Sequence, residues 1–230
     1  MWSHSVNDGS VAGGDGNAPQ NVRDRKADRG DSAQDIQHTA TVNWVYELPF
    51  GKDKPWLSGG RGATLLGGWQ FSGLLQARTG QQLTVIVSRA RTDMAEANAS
   101  TGSTTSGSMQ RPDLGPGMSV IPSAGQSPAL WINPAAFAVP TRGKWGNAGR
   151  GIVNGPSLVQ VDVALQRRFG SSRNVEFRWE VYNLLNRANL ANPELNTSTG
   201  PAFGRITGPA NSSFGTGSAR QMQFMLRVNF

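Results

Sequence analysis

The last twelve residues of the chain alternate between apolar and polar side chains, and this stretch limits the folds open to the rest. Successive side chains of an extended strand point to opposite faces. One face would carry the apolar residues Met222, Phe224, Leu226, Val228 and Phe230. The other would carry Gln221, Gln223, Arg227 and Asn229, with Met225 as the exception. A strand of this kind is typical of a transmembrane β-barrel, but it also fits the half-buried terminal strand of a soluble β-sandwich.

The composition excludes a helical membrane protein. Of the 230 residues 37% are hydrophobic, and the mean hydropathy is −0.40. No run approaches the roughly 18 apolar residues that a spanning helix needs. A barrel is compatible with these values because its strands show only half of their side chains to lipid. The absence of cysteine excludes disulfides, zinc–thiolate sites and thiol catalysis.

The formal charge of +7 raises the question of a nucleic-acid partner. The cations are scattered, however, and those near the start alternate with aspartates. They are Arg23, Arg25, Lys26 and Arg29, interleaved with Asp24, Asp28 and Asp31. Mixed charge of this kind is typical of a solvated loop, so we predict no nucleic-acid partner. The chain also starts without the basic and apolar regions of a signal peptide.

Period-two alternation predicts four further strands, at about residues 40–48, 65–78, 158–169 and 175–182. The last two are separated by a Gly-Ser-Ser turn and predict a β-hairpin. Residues 2–6 are predicted to be a strand remnant, and residues 82–88 are compatible with a continuation of the second strand past a bulge. The predicted fold class is therefore all-β, with antiparallel up-and-down strands that form part of a transmembrane barrel.

The connections alternate in length. Long connections are predicted at 7–35, 89–157 and 185–218, and shorter ones at 49–64 and 170–173. Long loops therefore gather at one end of the sheet, as in outer-membrane barrels, where the long loops are external and the short turns periplasmic. We divide the chain into a strand remnant with an external loop (1–35) and barrel strands with long loops at 89–157 and 185–218 (36–230).

The polar faces of the predicted strands carry Asp162, Glu176, Arg178 and Glu180. Unpaired charges in a dry core would cost several kcal/mol, whereas a wet lumen tolerates them. The three carboxylates could also be read as the paired acids of a glycosidase. Lumen-facing charges paired with Arg168 and Arg178 are the better interpretation.

Six short segments and the terminal strand resemble the C-terminal barrel region of TonB-dependent outer-membrane receptors, in the branch that carries an N-terminal carboxypeptidase-regulatory-like domain. The segments are 2–5 (WSHS), 45–51 (VYELPFG), 67–73 (GGWQFSG), 146–150 (GNAGR), 180–186 (EVYNLLN) and 203–206 (FGRI). They occur in the order of the family across nearly the whole chain.

The resemblance implies a barrel of roughly 22 strands closed by an internal plug, which imports a scarce nutrient such as a chelated metal, cofactor, glycan or peptide. The chain contains too few strands for such a barrel, so we expect a C-terminal fragment that forms an open sheet with an unpaired edge. The implied partners are outer-membrane lipid, the barrel-assembly machinery and a small-molecule or peptide substrate. An inner-membrane energy-coupling complex is also implied, and it would act through a missing N-terminal part. The barrel-assembly machinery would recognise the C-terminal signal formed by Met222, Phe224, Leu226, Val228 and Phe230. The location would be the outer membrane of a Gram-negative-type bacterium. A passive channel or structural barrel, and a soluble β-sandwich binding module, are the alternatives.

No catalytic constellation is apparent, and we expect no enzyme activity, cofactor or metal site. His4 and His38 are the only histidines, and no further ligands follow them at metal-binding spacing. Substrate contacts in such a receptor would come from the long loops. The candidates are Trp131, Phe137, Trp145 and Arg150, which could equally pack the loops against one another.

Overall fold

The computed structural model describes residues 1–8, 20–21, 24–90, 93, 110–169, 175–213 and 215–228. The predicted all-β class is confirmed. The strands are β1 (Val6–Asn7), β2 (Gly30–Asp31), β3 (Thr39–Glu47), β4 (Trp69–Arg78), β5 (Gln82–Leu83), β6 (Asp113–Leu114), β7 (Phe137–Ala138), β8 (Val153–Asn154), β9 (Leu158–Phe169), β10 (Val175–Tyr182) and β11 (Gln221–Val228). Among the described residues, the strands are accompanied by the helix α1 (Gly60–Leu66) and by short 3-10 turns at Arg25–Asp28, Pro134–Ala136 and Thr197–Ala202. Within the described part of the chain, no helix is long and apolar enough to cross a membrane.

The five long strands form one sheet in the order β3, β4, β9, β10, β11. The five long strands follow one another in the same order along the chain, so each lies beside the long strand that precedes or follows it in the sequence. Strand β10 is antiparallel to both β9 and β11, and Trp179 lies opposite Leu165 on one side and Phe224 on the other. The two strands of the predicted hairpin are therefore paired, and the Gly-Ser-Ser turn between them lies outside the described residues. Among the described residues β11 pairs with β10 alone, which leaves the sheet open with the expected unpaired edge.

Two sequence predictions about the second strand are wrong. Residues 65–68 do not belong to it, because Gly60–Leu66 forms α1 and the strand begins at Trp69. Gly68 has a φ of +77°, a conformation that favours glycine, and the chain turns there before it extends. Residues 82–88 do not continue β4. Instead, β5 pairs with β8, and Val85 and Val87 are fully buried.

The chain divides into two compact units. The loop unit comprises Met1–Thr39, Arg78–Ser157 and Leu190–Gly208, and the strand unit comprises Ala40–Ala77, Leu158–Asn189 and Pro209–Phe230. The loop unit is thus assembled from segments of the three long predicted connections. It has its own apolar core, formed by Leu83, Val85, Ile132, Val153 and Phe203, and the short pairs β1–β2, β5–β8 and β6–β7. Much of the region that the sequence indicated as irregular is therefore folded.

A glycine on β4 makes room for an aromatic side chain of β3. A Cβ atom on Gly73 would overlap the ring of Trp44, and the same ring lies 6.4 Å from that of Phe71. An aromatic side chain laid over a strand glycine fixes strand register and covers the exposed backbone. Trp44 therefore helps to hold β3 on β4.

We expect Gly73→Ala to destabilise the sheet by about 1–3 kcal/mol, because Trp44 must leave its position. The measurement is the temperature at which the detergent-folded chain loses its compact form on a gel. Gly59→Ala is the matched control, since a Cβ there meets no atom within 4 Å. Equal melting temperatures for the two variants would contradict the packing role of Gly73.

Candidate functional site

One face of the five-stranded sheet carries large apolar side chains that are open to the surroundings. On β11, Phe224 is 69% exposed, Leu226 is 67% exposed and Met222 is 55% exposed. The ring of Phe224 stacks on that of Trp179, with the centroids 6.1 Å apart and an interplanar angle of 6°. Four of the predicted assembly-signal residues, from Met222 to Val228, thus lie in an edge strand with their side chains exposed. Phe230 lies outside the described residues.

The other face of the sheet carries charged and amide side chains, of which the carboxylates of β10 are largely covered and Arg168 is exposed. Glu176 forms an ion pair with Arg168, with an N–O distance of 3.4 Å, and Glu180 forms one with Arg178, with an N–O distance of 2.6 Å. Gln223 of β11 also donates to Glu180 at 2.5 Å. Glu180 is only 9% exposed. The predicted pairing of Glu176 with Arg168 and of Glu180 with Arg178 is confirmed, whereas Asp162 accepts from the Gln160 side chain and the Asn183 backbone N–H.

On β10 and β11 this distribution of side chains is the reverse of the one expected in water. A soluble sheet buries its apolar face and exposes its polar one. Here Phe224 and Leu226 are exposed, whereas the ion-paired carboxylates of Glu176 and Glu180 are covered. This reversal is characteristic of the wall of a membrane β-barrel, with an apolar outer band and a polar lumen.

In the loop unit, two of the four predicted contact residues pack on the apolar core. Trp131 packs against the core cluster, and its indole N–H donates to the carbonyl of Asn154 at 2.9 Å. Phe137 lies edge-to-face on Phe203, with centroids 5.7 Å apart. Trp145 is half-buried, and Arg150 is buried. A role for any of the four in ligand contact stays a prediction.

A buried ion pair joins segments of the loop unit that are far apart in sequence. The Arg111 guanidinium pairs with Asp28, which is fully buried. It also donates to the carbonyls of Ala148 at 2.6 Å and Ala27 at 3.0 Å. Gln20 adds a second tie, since its side chain accepts from the Arg111 backbone N–H and donates to the Gly146 carbonyl. One arginine thus holds three parts of the loop unit together.

Arg89 plays a similar part elsewhere in the loop unit. Its guanidinium donates to the side chain of Gln110 and to the carbonyls of Pro140 and Lys144. Burial lowers the pKa of the Arg89 guanidinium from its ordinary value, and the charges of Asp93 and Asp113 oppose this shift in part. The pattern of contacts with backbone carbonyls indicates a structural role.

His4 lies between two carboxylates, an arrangement that the sequence analysis missed. Its Nδ1 atom is 3.2 Å from Asp35 Oδ2, and its Nε2 atom is 3.7 Å from Asp31 Oδ1. One atom from each of the three residues lies within 4.8 Å of the others, so the cluster could hold a metal ion. A single ion, however, takes only one imidazole nitrogen, and here the two nitrogens face different carboxylates. Asp35 also accepts from the Ser5 backbone N–H at 2.9 Å, which fits a tie between loop segments.

Comparison with known families identifies the chain. A model described as "Outer membrane beta barrel domain" matches residues 1–223, and the chain therefore belongs to this family. Membership of this family places the protein in the outer membrane, and the exposed apolar side chains of β11 agree with that location. The soluble β-sandwich is thereby excluded. Comparisons with curated proteins and with solved structures found no match.

Proposed function

We propose that the chain is the C-terminal part of a TonB-dependent outer-membrane transporter that imports a scarce nutrient, such as a chelated metal, cofactor, glycan or peptide. The observation that carries the proposal is the folded loop unit. Ordering a chain costs about 1–2 kcal/mol per residue in backbone entropy. A passive channel needs only an open mouth, whereas a receptor needs loops that present a defined surface to its substrate.

The loop unit has the internal bonding that such a surface requires. Its apolar core gathers side chains from β5, β8 and the turn before Gly204, and the Arg111–Asp28 pair fixes its polar segments. Backbone hydrogen bonds also link Ile86 to both Leu195 and Thr197. Loops held in this way could present a substrate site without paying the ordering entropy at the moment of binding.

The motif at 180–186 gains a physical explanation that supports the family resemblance. Asn183 follows β10 directly with a φ of +52°, and its backbone N–H donates to Asp162 at 2.8 Å. Its side-chain amide donates to the carbonyls of Arg187 and Ser218 at 2.9 and 3.0 Å. Asn183 thus ties the end of β10 to β9 and to the segment that leads into β11. Asparagine suits this position because it tolerates the left-handed conformation.

The proposed partners follow from this assignment. The apolar face would contact outer-membrane lipid, and the barrel-assembly machinery would engage β11. An inner-membrane energy-coupling complex would act through a further N-terminal part, and the long loops would receive the small-molecule or peptide substrate. We propose no catalytic step and no nucleic-acid partner for the protein.

A conductance measurement on the whole protein encoded by the gene separates active transport from passive flow. In a planar bilayer we expect no steady ion current, because a plug would close the barrel. Removal of the plug segment from the same gene should then produce stable current steps. Steady conductance of the intact protein, or a gene that encodes no plug, would favour a passive channel and contradict the proposal.

A further inference from the structure

Basic side chains gather at the end of the strand unit where β3 and β9 end and β4 and β10 begin. A concave pocket of about 430 Å³ lies there, lined by the cations Lys52, Lys54, Arg167 and Arg168 and by the single acid Glu47. Glu47 pairs with Lys54 at 2.7 Å. Arg168 pairs with Glu176 on β10. Lys52 and Arg167 are therefore the cations of the lining that could attract an anion, and Arg167 also donates to the Thr64 carbonyl.

Arg167 is the unusual member of this group because it lies on the apolar face. It stands between Leu165 and Phe169 in the face alternation and opposite Phe177 in the register. Its guanidinium carbon is 4.5 Å from the ring centroid of Phe169 and 5.7 Å from that of Trp69. A guanidinium on the lipid side of a barrel is costly at mid-depth but favourable at the interface, where it reaches the headgroups.

The aromatic rings around Arg167 also fit a position at the membrane interface. Trp69 lies edge-to-face on both Phe169 and Phe177, with centroids 6.4 and 6.0 Å apart. Clusters of tryptophan and other aromatic residues are enriched at the boundary between hydrocarbon and headgroups. At this depth the anion within reach is the phosphate of a membrane lipid, and a guanidinium is well matched to phosphate oxygens.

We propose that Arg167, with Lys52 and Trp69, forms a binding site for the headgroup of an anionic glycerophospholipid. Arg167 and Lys52 would contact the phosphate, the Trp69 indole would lie at the level of the glycerol, and the acyl chains would cover the apolar face of β9 and β10. In the predicted orientation this is the periplasmic leaflet. The site rests on the outer-membrane location and does not depend on transport.

Native mass spectrometry of the full chain in detergent, titrated with phosphatidylglycerol, tests the site. We expect Arg167→Gln to weaken phosphatidylglycerol binding about tenfold and Lys52→Gln to weaken it severalfold. Arg220→Gln is the matched control, since Arg220 is exposed and precedes β11 at the opposite end of the sheet. This control should bind as the unchanged protein does. Arg167→Lys keeps the charge and should lose less than Arg167→Gln.

Three outcomes would overturn the proposal. The first is equal binding of phosphatidylglycerol by Arg167→Gln, Lys52→Gln and the control. The second is a loss of phosphatidylcholine binding by Arg167→Gln that equals its loss of phosphatidylglycerol binding, which would indicate a general loss of lipid contact. The third is displacement of the lipid by millimolar inorganic phosphate, which would indicate a site for soluble anions. Heat-dependent gel mobility checks that each variant is folded, and if Arg167→Gln fails to fold, Lys52→Gln and Arg167→Lys decide.

Discussion

Arg111→Met is expected to destabilise the loop unit by about 3–5 kcal/mol, because it leaves the buried Asp28 carboxylate without its partner. The change also removes the guanidinium donors that reach Ala27 and Ala148. Limited proteolysis of the folded chain in detergent, with the cut sites mapped by mass spectrometry, measures the effect. We expect rapid cleavage in the Arg111 variant within 20–31 and 110–151, while the strand unit stays resistant.

The exposed pair of Arg25 and Asp8 provides the matched control. It is also an arginine–aspartate contact in the loop unit, at 2.7 Å, but both side chains are substantially exposed. Exposed pairs contribute about 0–1 kcal/mol, so Arg25→Gln should leave the cleavage rate nearly unchanged. Similar cleavage rates for Arg111→Met and Arg25→Gln would contradict the role assigned to the buried pair.

Leu226→Arg is the second change with a large expected effect, because it places a charge on the apolar face of β11. An arginine on the lipid side of a barrel costs about 2–4 kcal/mol near the bilayer centre and less toward the interfaces. We expect a loss of at least about 2 kcal/mol in the urea-induced unfolding of the chain folded in phospholipid vesicles.

The control for this prediction is an equally exposed apolar residue of the loop unit. Val139 is 64% exposed, close to the 67% of Leu226. A substitution at a water-exposed position usually changes stability by less than about 0.5 kcal/mol, so Val139→Arg should be tolerated. If the two arginine variants unfold at the same urea concentration, β11 does not face lipid.

The strands could be predicted from the sequence because their signal is local. Alternation at β9 and β10 sets both the faces and the hairpin register within a short stretch of chain, and the observed bounds agree with the prediction to within a residue or two. The error at β4 has a specific cause. Leu65 and Gly67 fit the alternation by chance, whereas the turn at Gly68 separates them from the strand.

The loop unit could not be predicted because its contacts join distant residues. Asp28 and Arg111 are 83 residues apart, and His4 and Asp35 are 31 apart. No period or motif marks such pairs. Trp131 and Phe137 illustrate the same limit. Their residue types suggested exposed contacts or loop packing equally, and only the tertiary structure places them on the core of Leu83, Ile132 and Phe203.

We infer that one face of the terminal strand contacts lipid and the other faces the aqueous lumen. A cysteine scan with spin labels tests this most directly. Because the natural sequence has no cysteine, single labels can be placed at each position from 221 to 228 in the full chain folded into vesicles. We expect labels at Met222, Phe224, Leu226 and Val228 to be accessible to oxygen dissolved in the bilayer, and labels at the intervening positions to be inaccessible to it. Equal access of a water-soluble nickel complex to both sets would contradict the account.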